Sequence, residues 1–259
     1  MGRTGTVLLA VLAVVEIGAA VYVVHDTHSA KSAAAPAPVV TTPRPTHSPS
    51  ISIIDNGSGT GSPSLGIEGT SASQGTGTLI AFLGDDWTAG TGATGKAQRF
   101  TTVVCTQLGA QEANFGVDGS GYAKSGTDGG PFESRIDAIV AAHPQVVIVS
   151  GGRNDYVDAP ATAAAHAQDL FAALHTKLPD AVLIAIKPFW GDSDLPPVMD
   201  ALAAAVKQGV TAAGGTYLDV PDPIHGHPSY MADLADPNNQ GYAAIAAALV
   251  PELQPLLPS

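Results

Sequence analysis

The chain has 259 residues, of which 13% are charged, and 23 acidic side chains against 11 Lys and Arg leave a formal net charge of −12. That balance argues against nucleic acid or an anionic membrane surface as partner, since both are bound by basic patches. A single cysteine, Cys105, excludes an intrachain disulfide and any cysteine-based metal knuckle. Residues 1–5 carry Arg3, and residues 6–24 (TVLLAVLAVVEIGAAVYVV) are apolar apart from Thr6, Glu16 and Tyr22. A helix of that length spans roughly 28 Å, about the hydrocarbon core of a bilayer. Arg3 on the short side keeps residues 1–5 cytoplasmic and sends the rest across. The run is long for a cleaved signal, and the nearest small-residue site, Ser32-Ala33-Ala34, lies late. The expectation is therefore an uncleaved signal-anchor, with secretion as the outcome if it is cut.

Residues 25–76 are dominated by Ser, Thr, Pro, Gly and Ala and show no apolar period. Such a segment buries too little to offset its ordering entropy, so it reads as a disordered linker reaching roughly 40 Å. From residue 77 to 259 strands and helices alternate. The apolar runs over Thr78–Leu83, Val146–Val149 and Ala181–Ile186 read as strands, and Gln111–Phe115 and Thr216–Val220 as two short ones. Helices are expected over Lys96–Leu108, Pro131–Ala142, Ala161–Leu178, Leu195–Ala213 and Asn238–Leu253. Alternation of this kind implies right-handed crossovers and a five-stranded parallel sheet between two helical layers, a three-layer α/β/α sandwich.

Ligands in an open α/β sheet bind beyond the carboxyl ends of the strands. Two of the loops there are Gly84-Asp85-Asp86-Trp87-Thr88-Ala89-Gly90, a tight turn after the first strand, and Gly152-Arg153-Asn154-Asp155 after the third. Two more are Asn114-Phe115-Gly116-Val117-Asp118-Gly119-Ser120-Gly121-Tyr122 and, near the C-terminus, Asp233-Leu234-Ala235-Asp236-Pro237-Asn238-Asn239-Gln240-Gly241-Tyr242. Together the four resemble the motif blocks of the SGNH (GDSL-type) hydrolases, a family of esterases, lipases and carbohydrate deacetylases. The family's blocks run G-D-S-x-T-x-G, a glycine loop, G-x-N-D and D-x-x-H-P-N-x-x-G, and the resemblance covers residues 77–253.

The resemblance implies a flavodoxin-like strand order, with the first and third strands flanking the site. It also implies an oxyanion hole to which Gly119 and Asn154 contribute. Donors aimed at a developing oxyanion stabilise acyl-transfer transition states. The chain departs from the family at two points: the serine nucleophile falls on Asp86 and the catalytic histidine on Asp236, leaving Asp233 of the triad. No other Gly-x-Ser-x-Gly elbow is present to replace it.

A carboxylate at the nucleophile position can fold into the hole and accept from Asn154 and Gly119, which stabilises the ground state. Losing nucleophile and base together costs a comparable triad about a million-fold. The first expectation is therefore a catalytically impaired protein that keeps a cleft for an acyl-ester or glycan ligand. The alternative is an active hydrolase of the envelope using Asp86 with Asp236, or with a base from His225 or His227 in the His225-Gly226-His227 loop. A further possibility is a hard-cation site of Asp86, Asp233, Asp236 and Asn154, expected to lie within one side chain's reach of each other. No metal or other cofactor is assigned. Trp87, His225 and His227 are candidate substrate-binding residues, with a core position as the alternative for Trp87.

Overall fold

The structure is a computed structural model and describes residues 77–156 and 160–258. The expected anchor at 6–24 and linker at 25–76 lie outside the described residues. Among the described residues no helix is long and apolar enough to cross a membrane.

Five parallel strands form one sheet: β1 (Leu79–Gly84), β2 (Gln111–Gly116), β3 (Val146–Ser150), β4 (Val182–Ile186) and β5 (Thr216–Leu218). Their order is β2-β1-β3-β4-β5, so the direction of winding reverses at β1, between β2 and β3. The register places Gly84 opposite both Gly116 and Ser150. Three strands thus end at one level, and the loops that follow them emerge side by side.

The alternation of side chains along each strand builds two cores. On one face Leu83, Val147 and Val149 pack with Leu170 and Phe171 of α4 (Pro160–Lys177) and Leu202 and Val206 of α5 (Met199–Ala212). On the other, Phe82 and Ile148 meet Val104 of α2 (Phe100–Leu108) and Ile245 and Leu249 of α6 (Asn239–Leu253). Apolar groups on both sides explain why β1 and β3 read as unbroken hydrophobic runs.

Helix starts differ from expectation where the backbone resists a helix. The predicted Lys96–Leu108 helix is broken: Lys96–Gln98 form a 3-10 turn, Arg99 is extended with ψ 147°, and α2 begins at Phe100. The predicted Pro131–Ala142 helix opens as a 3-10 turn, Phe132–Arg135, before α3 (Ile136–Ala142). The fifth helix starts at Met199 rather than Leu195. Pro196 and Pro197 lack the N–H that a helix interior needs, and each disfavours α-conformation in the residue before it. The tight turn after β1 is itself one turn of helix, α1 (Asp86–Ala89), capped by Asp85 and closed by Gly90 at φ 92°.

Candidate active site at the carboxyl edge of the sheet

The site begins at Gly84. A Cβ there would lie 2.1 Å from Thr88 Oγ1 and 2.2 Å from the Ser150 carbonyl, so only glycine lets β1 turn into α1 beside β3. Asp85 Oδ1 then accepts the Trp87 N–H at 3.2 Å, and Asp86, the first residue of α1, projects into the open.

Both oxygens of Asp86 are engaged. Oδ1 accepts the Gly119 N–H at 3.0 Å, and Oδ2 accepts from Asn154 Nδ2 at 2.7 Å. Asn154 Nδ2 also donates to the Ser120 carbonyl at 2.9 Å, locking the amide across to the loop after β2. That loop is fastened from below by buried Asp155, whose carboxylate accepts the N–H groups of Tyr122, Ala123 and Lys124 at 2.8, 2.9 and 3.0 Å. The Ser120 hydroxyl is fully buried, lies 2.7 Å from the Val117 carbonyl and accepts from Arg135 Nη2 at 3.1 Å. It braces the loop and is no nucleophile.

The cleft above Asp86 has a volume of about 360 Å³ and is bordered by Asp85, Asp86, Arg153, Asn154, Trp190 and Asp236, among others. Arg153 crosses it. Its guanidinium donates to the carbonyls of Ala235 and, at 3.4 Å, Leu234, and sits 5.8 Å from the Trp87 ring centroid and 5.4 Å from that of Trp190. Trp87 Nε1 donates to the same Ala235 carbonyl at 3.0 Å. One cation and one indole thereby tie the 233–236 loop to the cleft wall.

The carboxylates fall into distinct environments. Asp236 is half-buried, and burial together with the charges of Asp86 and then Asp233 pushes its carboxyl up to about 6. Burial, reinforced by the charge of Asp86, pushes the Asp85 carboxyl up to about 7. Asp233 behaves oppositely. It is exposed and does not border the cleft, and the Ala235 and Asp236 N–H groups on its Oδ1, at 2.7 and 2.9 Å, hold it below the usual carboxylate range. The expected gathering of Asp86, Asp233 and Asp236 around a cation is therefore corrected. Oδ1 of Asp233 is taken by its own loop, and among the described residues no three His, Cys, Asp or Glu side chains are grouped to hold a metal ion.

Other candidate residues are placed as follows. Trp87 borders the cleft but is only 6% exposed, stacked with Phe189 at 6.5 Å, so most of its ring is core. Neither His225 nor His227 borders the cleft. His225 lines a neighbouring depression, with Nε2 3.6 Å from Asp194 Oδ1, and exposed His227 stacks on Tyr230 at 4.8 Å. Arg153 and Asp85 were not assigned from sequence. Their signal was position alone: each sits next to a motif residue at a strand end.

The raised carboxyls set a pH dependence. A carboxyl whose folded value lies above its unfolded value of 3.8 contributes stability that is fully present below about pH 4 and is lost as pH rises through about 6 for Asp236 and about 7 for Asp85. The thermal midpoint is expected to fall between about pH 4 and about pH 7, apart from any acid unfolding at lower pH. Asp85→Asn should flatten that fall, whereas an unchanged slope in this variant would show that Asp85 does not titrate there.

The profile of the GDSL-like lipase/acylhydrolase family matches residues 82–244. A GDSL lipase of Mycobacterium tuberculosis is 28% identical over 187 residues, covering 66% of this chain and 80% of its own. Among solved structures, a family two carbohydrate esterase from Clostridium thermocellum, in complex with cellohexaose, superposes with a TM-score of 0.56 at 17% identity over 72% of this chain and 66% of its own. A lipolytic protein of the G-D-S-L family from Desulfitobacterium hafniense gives 0.55 at 16% identity over 67% and 98%. The chain therefore belongs to the GDSL-like lipase/acylhydrolase family, and its residues 79–253 carry that family's α/β fold.

Proposed function

We propose that this chain is a membrane-tethered, extracytoplasmic GDSL hydrolase-like protein, impaired as a serine esterase, that keeps its cleft for an acyl-ester or glycan ligand. One observation carries the impairment: Asp86 places its own carboxylate on Gly119 N–H and Asn154 Nδ2, the donors that an oxyanion would need. Donors satisfied in the ground state give no advantage to the transition state. A carboxylate attacking an ester would also form a mixed anhydride, which needs a general base to clear. Tethering rests on the apolar run at 6–24 behind Arg3 and on the Ser/Pro/Gly/Ala segment at 25–76. Protection of residues 1–5, with digestion of the rest by protease added to intact cells, tests that arrangement.

A second reading is favoured by Asp236. A carboxyl raised to about 6 beside a hydrogen-bonded carboxylate is the environment of an acid–base pair. In that reading Asp86 and Asp236 hydrolyse an ester or acyl bond themselves. Hydrolysis of p-nitrophenyl acetate by the full-length protein separates the two. The impaired reading expects turnover no faster than the Asp86→Ala variant. Turnover that Asp86→Ala abolishes would establish the carboxylate as catalyst and end the first reading.

A further inference from the structure

The carboxyls that border the cleft above Asp86 have acceptor sites to spare. Asp85, Asp86 and Asp236 line it, and Arg153 is its one cationic side chain among the described residues. An ionised carboxylate offers about four acceptor sites. Asp86 uses one on each oxygen, for Gly119 N–H and Asn154 Nδ2. Asp85 is only 4% exposed, and its Oδ1 takes the Trp87 N–H, yet its Oδ2 receives no hydrogen bond from the described residues. The Asp236 carboxylate receives none from them either. A buried carboxyl left with an unused oxygen at the edge of a cleft is an acceptor waiting for a donor.

The nearby cations do not neutralise this set. Arg153 donates to the carbonyls of Leu234 and Ala235, lies over the Trp87 and Trp190 rings, and makes no ion pair with the described residues. Its charge draws the Asp85 and Asp236 carboxyls down. Burial and the charge of Asp86, joined at Asp236 by Asp233 and Asp118, still leave them raised to about 7 and about 6. Arg135 lies beneath the loop after β2, with Nη2 on Ser120 Oγ and Nη1 3.6 Å from Asp128 Oδ2. Lys187 lines the separate depression that Trp190 also borders, where its Nζ lies 2.8 Å from Asp219 Oδ1. The cleft thus faces its ligand with three carboxyls against one guanidinium that is already engaged.

We propose that the cleft selects an acyl ligand that carries a protonated primary amine, an aminoacyl ester, with the carboxylates of Asp85 and Asp236 as its counter-charges. This deepens the acyl-ester reading above and rests on it. A primary ammonium brings one positive charge and three donors, which carboxylates accept as charge-assisted hydrogen bonds. It also relieves the repulsion that raises these carboxyls. A quaternary ammonium has no donor and needs open aromatic faces, whereas Arg153 already lies over Trp87 and Trp190. A metal cation needs ligands gathered around it, and among the described residues these carboxyls are not so grouped. At about 360 Å³ the cleft is at the small end of ligand sites, which keeps the amine within a few bonds of the acyl carbon.

The test is a ligand-observed NMR titration of the full-length protein at pH 7 with amides that no esterase activity consumes. The probes are alaninamide, whose amine is charged at that pH, neutral propionamide and anionic succinamate, with choline as the quaternary cation. Alaninamide is expected to bind about tenfold or more tightly than propionamide. At pH 5 its amine keeps its charge while Asp85 and Asp236 take up protons, so the preference should shrink several-fold. Asp236→Asn with an unchanged thermal midpoint should shrink it at pH 7, and the comparison of native protein at two pH values stays decisive if that variant misfolds. Propionamide binding as well as alaninamide would overturn the amine selectivity and leave the retained cleft standing. Tighter binding of succinamate would do the same and make Arg153 the selecting charge, and choline in place of alaninamide would replace the primary amine with a quaternary one. Binding of no probe would remove the retained-cleft reading and the inference with it.

Discussion

The double change Asp86→Ser, Asp236→His is expected to raise p-nitrophenyl acetate hydrolysis by about a hundredfold or more over the native chain. The reasoning starts from what Asp86 occupies. With serine there, Gly119 N–H and Asn154 Nδ2 lose the carboxylate they now hold at 3.0 and 2.7 Å and become free for an oxyanion. Neither donor depends on Asp86 for its position. Asn154 is also held by the Ser120 carbonyl, and the loop bearing Gly119 is fastened through Asp155. The hole should therefore survive the exchange. Losing serine and histidine costs a comparable triad about a million-fold, and a free oxyanion donor is worth about 3–4 kcal/mol, so restoring both leaves room for a large gain even with imperfect alignment.

Alignment is where the gain will be limited. Histidine at position 236 needs an acceptor to orient its ring, and Asp233 is exposed and already bonded to two amides of its own loop. The single change Asp86→Ser should give much less than the double, because the carboxylate of Asp236 is a weaker base for the new hydroxyl than an imidazole. If the double variant keeps its thermal midpoint yet stays silent, the filled hole is not what impairs the native chain. The explanation would then have to move to the geometry of the 233–236 loop.

How far the sequence could be read follows from which contacts are local. The strands at Leu79–Gly84 and Val146–Ser150 were legible because burial on both faces demands unbroken apolar runs. The shared level of the site loops was legible too, since each follows a strand end, and the register sets Gly84 against Gly116 and Ser150. Helix starts at Phe100 and Met199 differ from those expected at Lys96 and Leu195 because the extended backbone at Arg99 and the prolines 196 and 197 each interrupt the helix before it begins. Asp233 was expected beside Asp86 by motif spacing alone. Its actual direction is decided by two amide bonds within a four-residue loop. Arg153 was read only as part of a motif. Its role depends on the carbonyls of Leu234 and Ala235 and on the Trp87 and Trp190 rings, partners distant in sequence that no local pattern brings together.

Asp155→Ala is expected to cost about 3–5 kcal/mol of folding stability, a large part of the roughly 5–15 kcal/mol that domains possess. Asp155 is completely buried, and one carboxylate satisfies three consecutive backbone donors, at Tyr122, Ala123 and Lys124. Alanine supplies no acceptor, so all three N–H groups lose their partner at once; bonds to a charged acceptor are worth about 1.5–3 kcal/mol each, and the sum is less than additive because the loop can relax toward water. Asp155→Asn should help little, since its amide turns a donor toward donors. Urea unfolding of the full-length chain measures the loss, and a value under about 1 kcal/mol would mean that the loop is held by something else. Amide exchange supplies the link to the site: residues 119–124 should exchange faster in the variant, because Gly119 is carried by the loop that Asp155 anchors. The carboxylate that shapes the hole is thus expected to matter more for folding than the carboxylate that fills it.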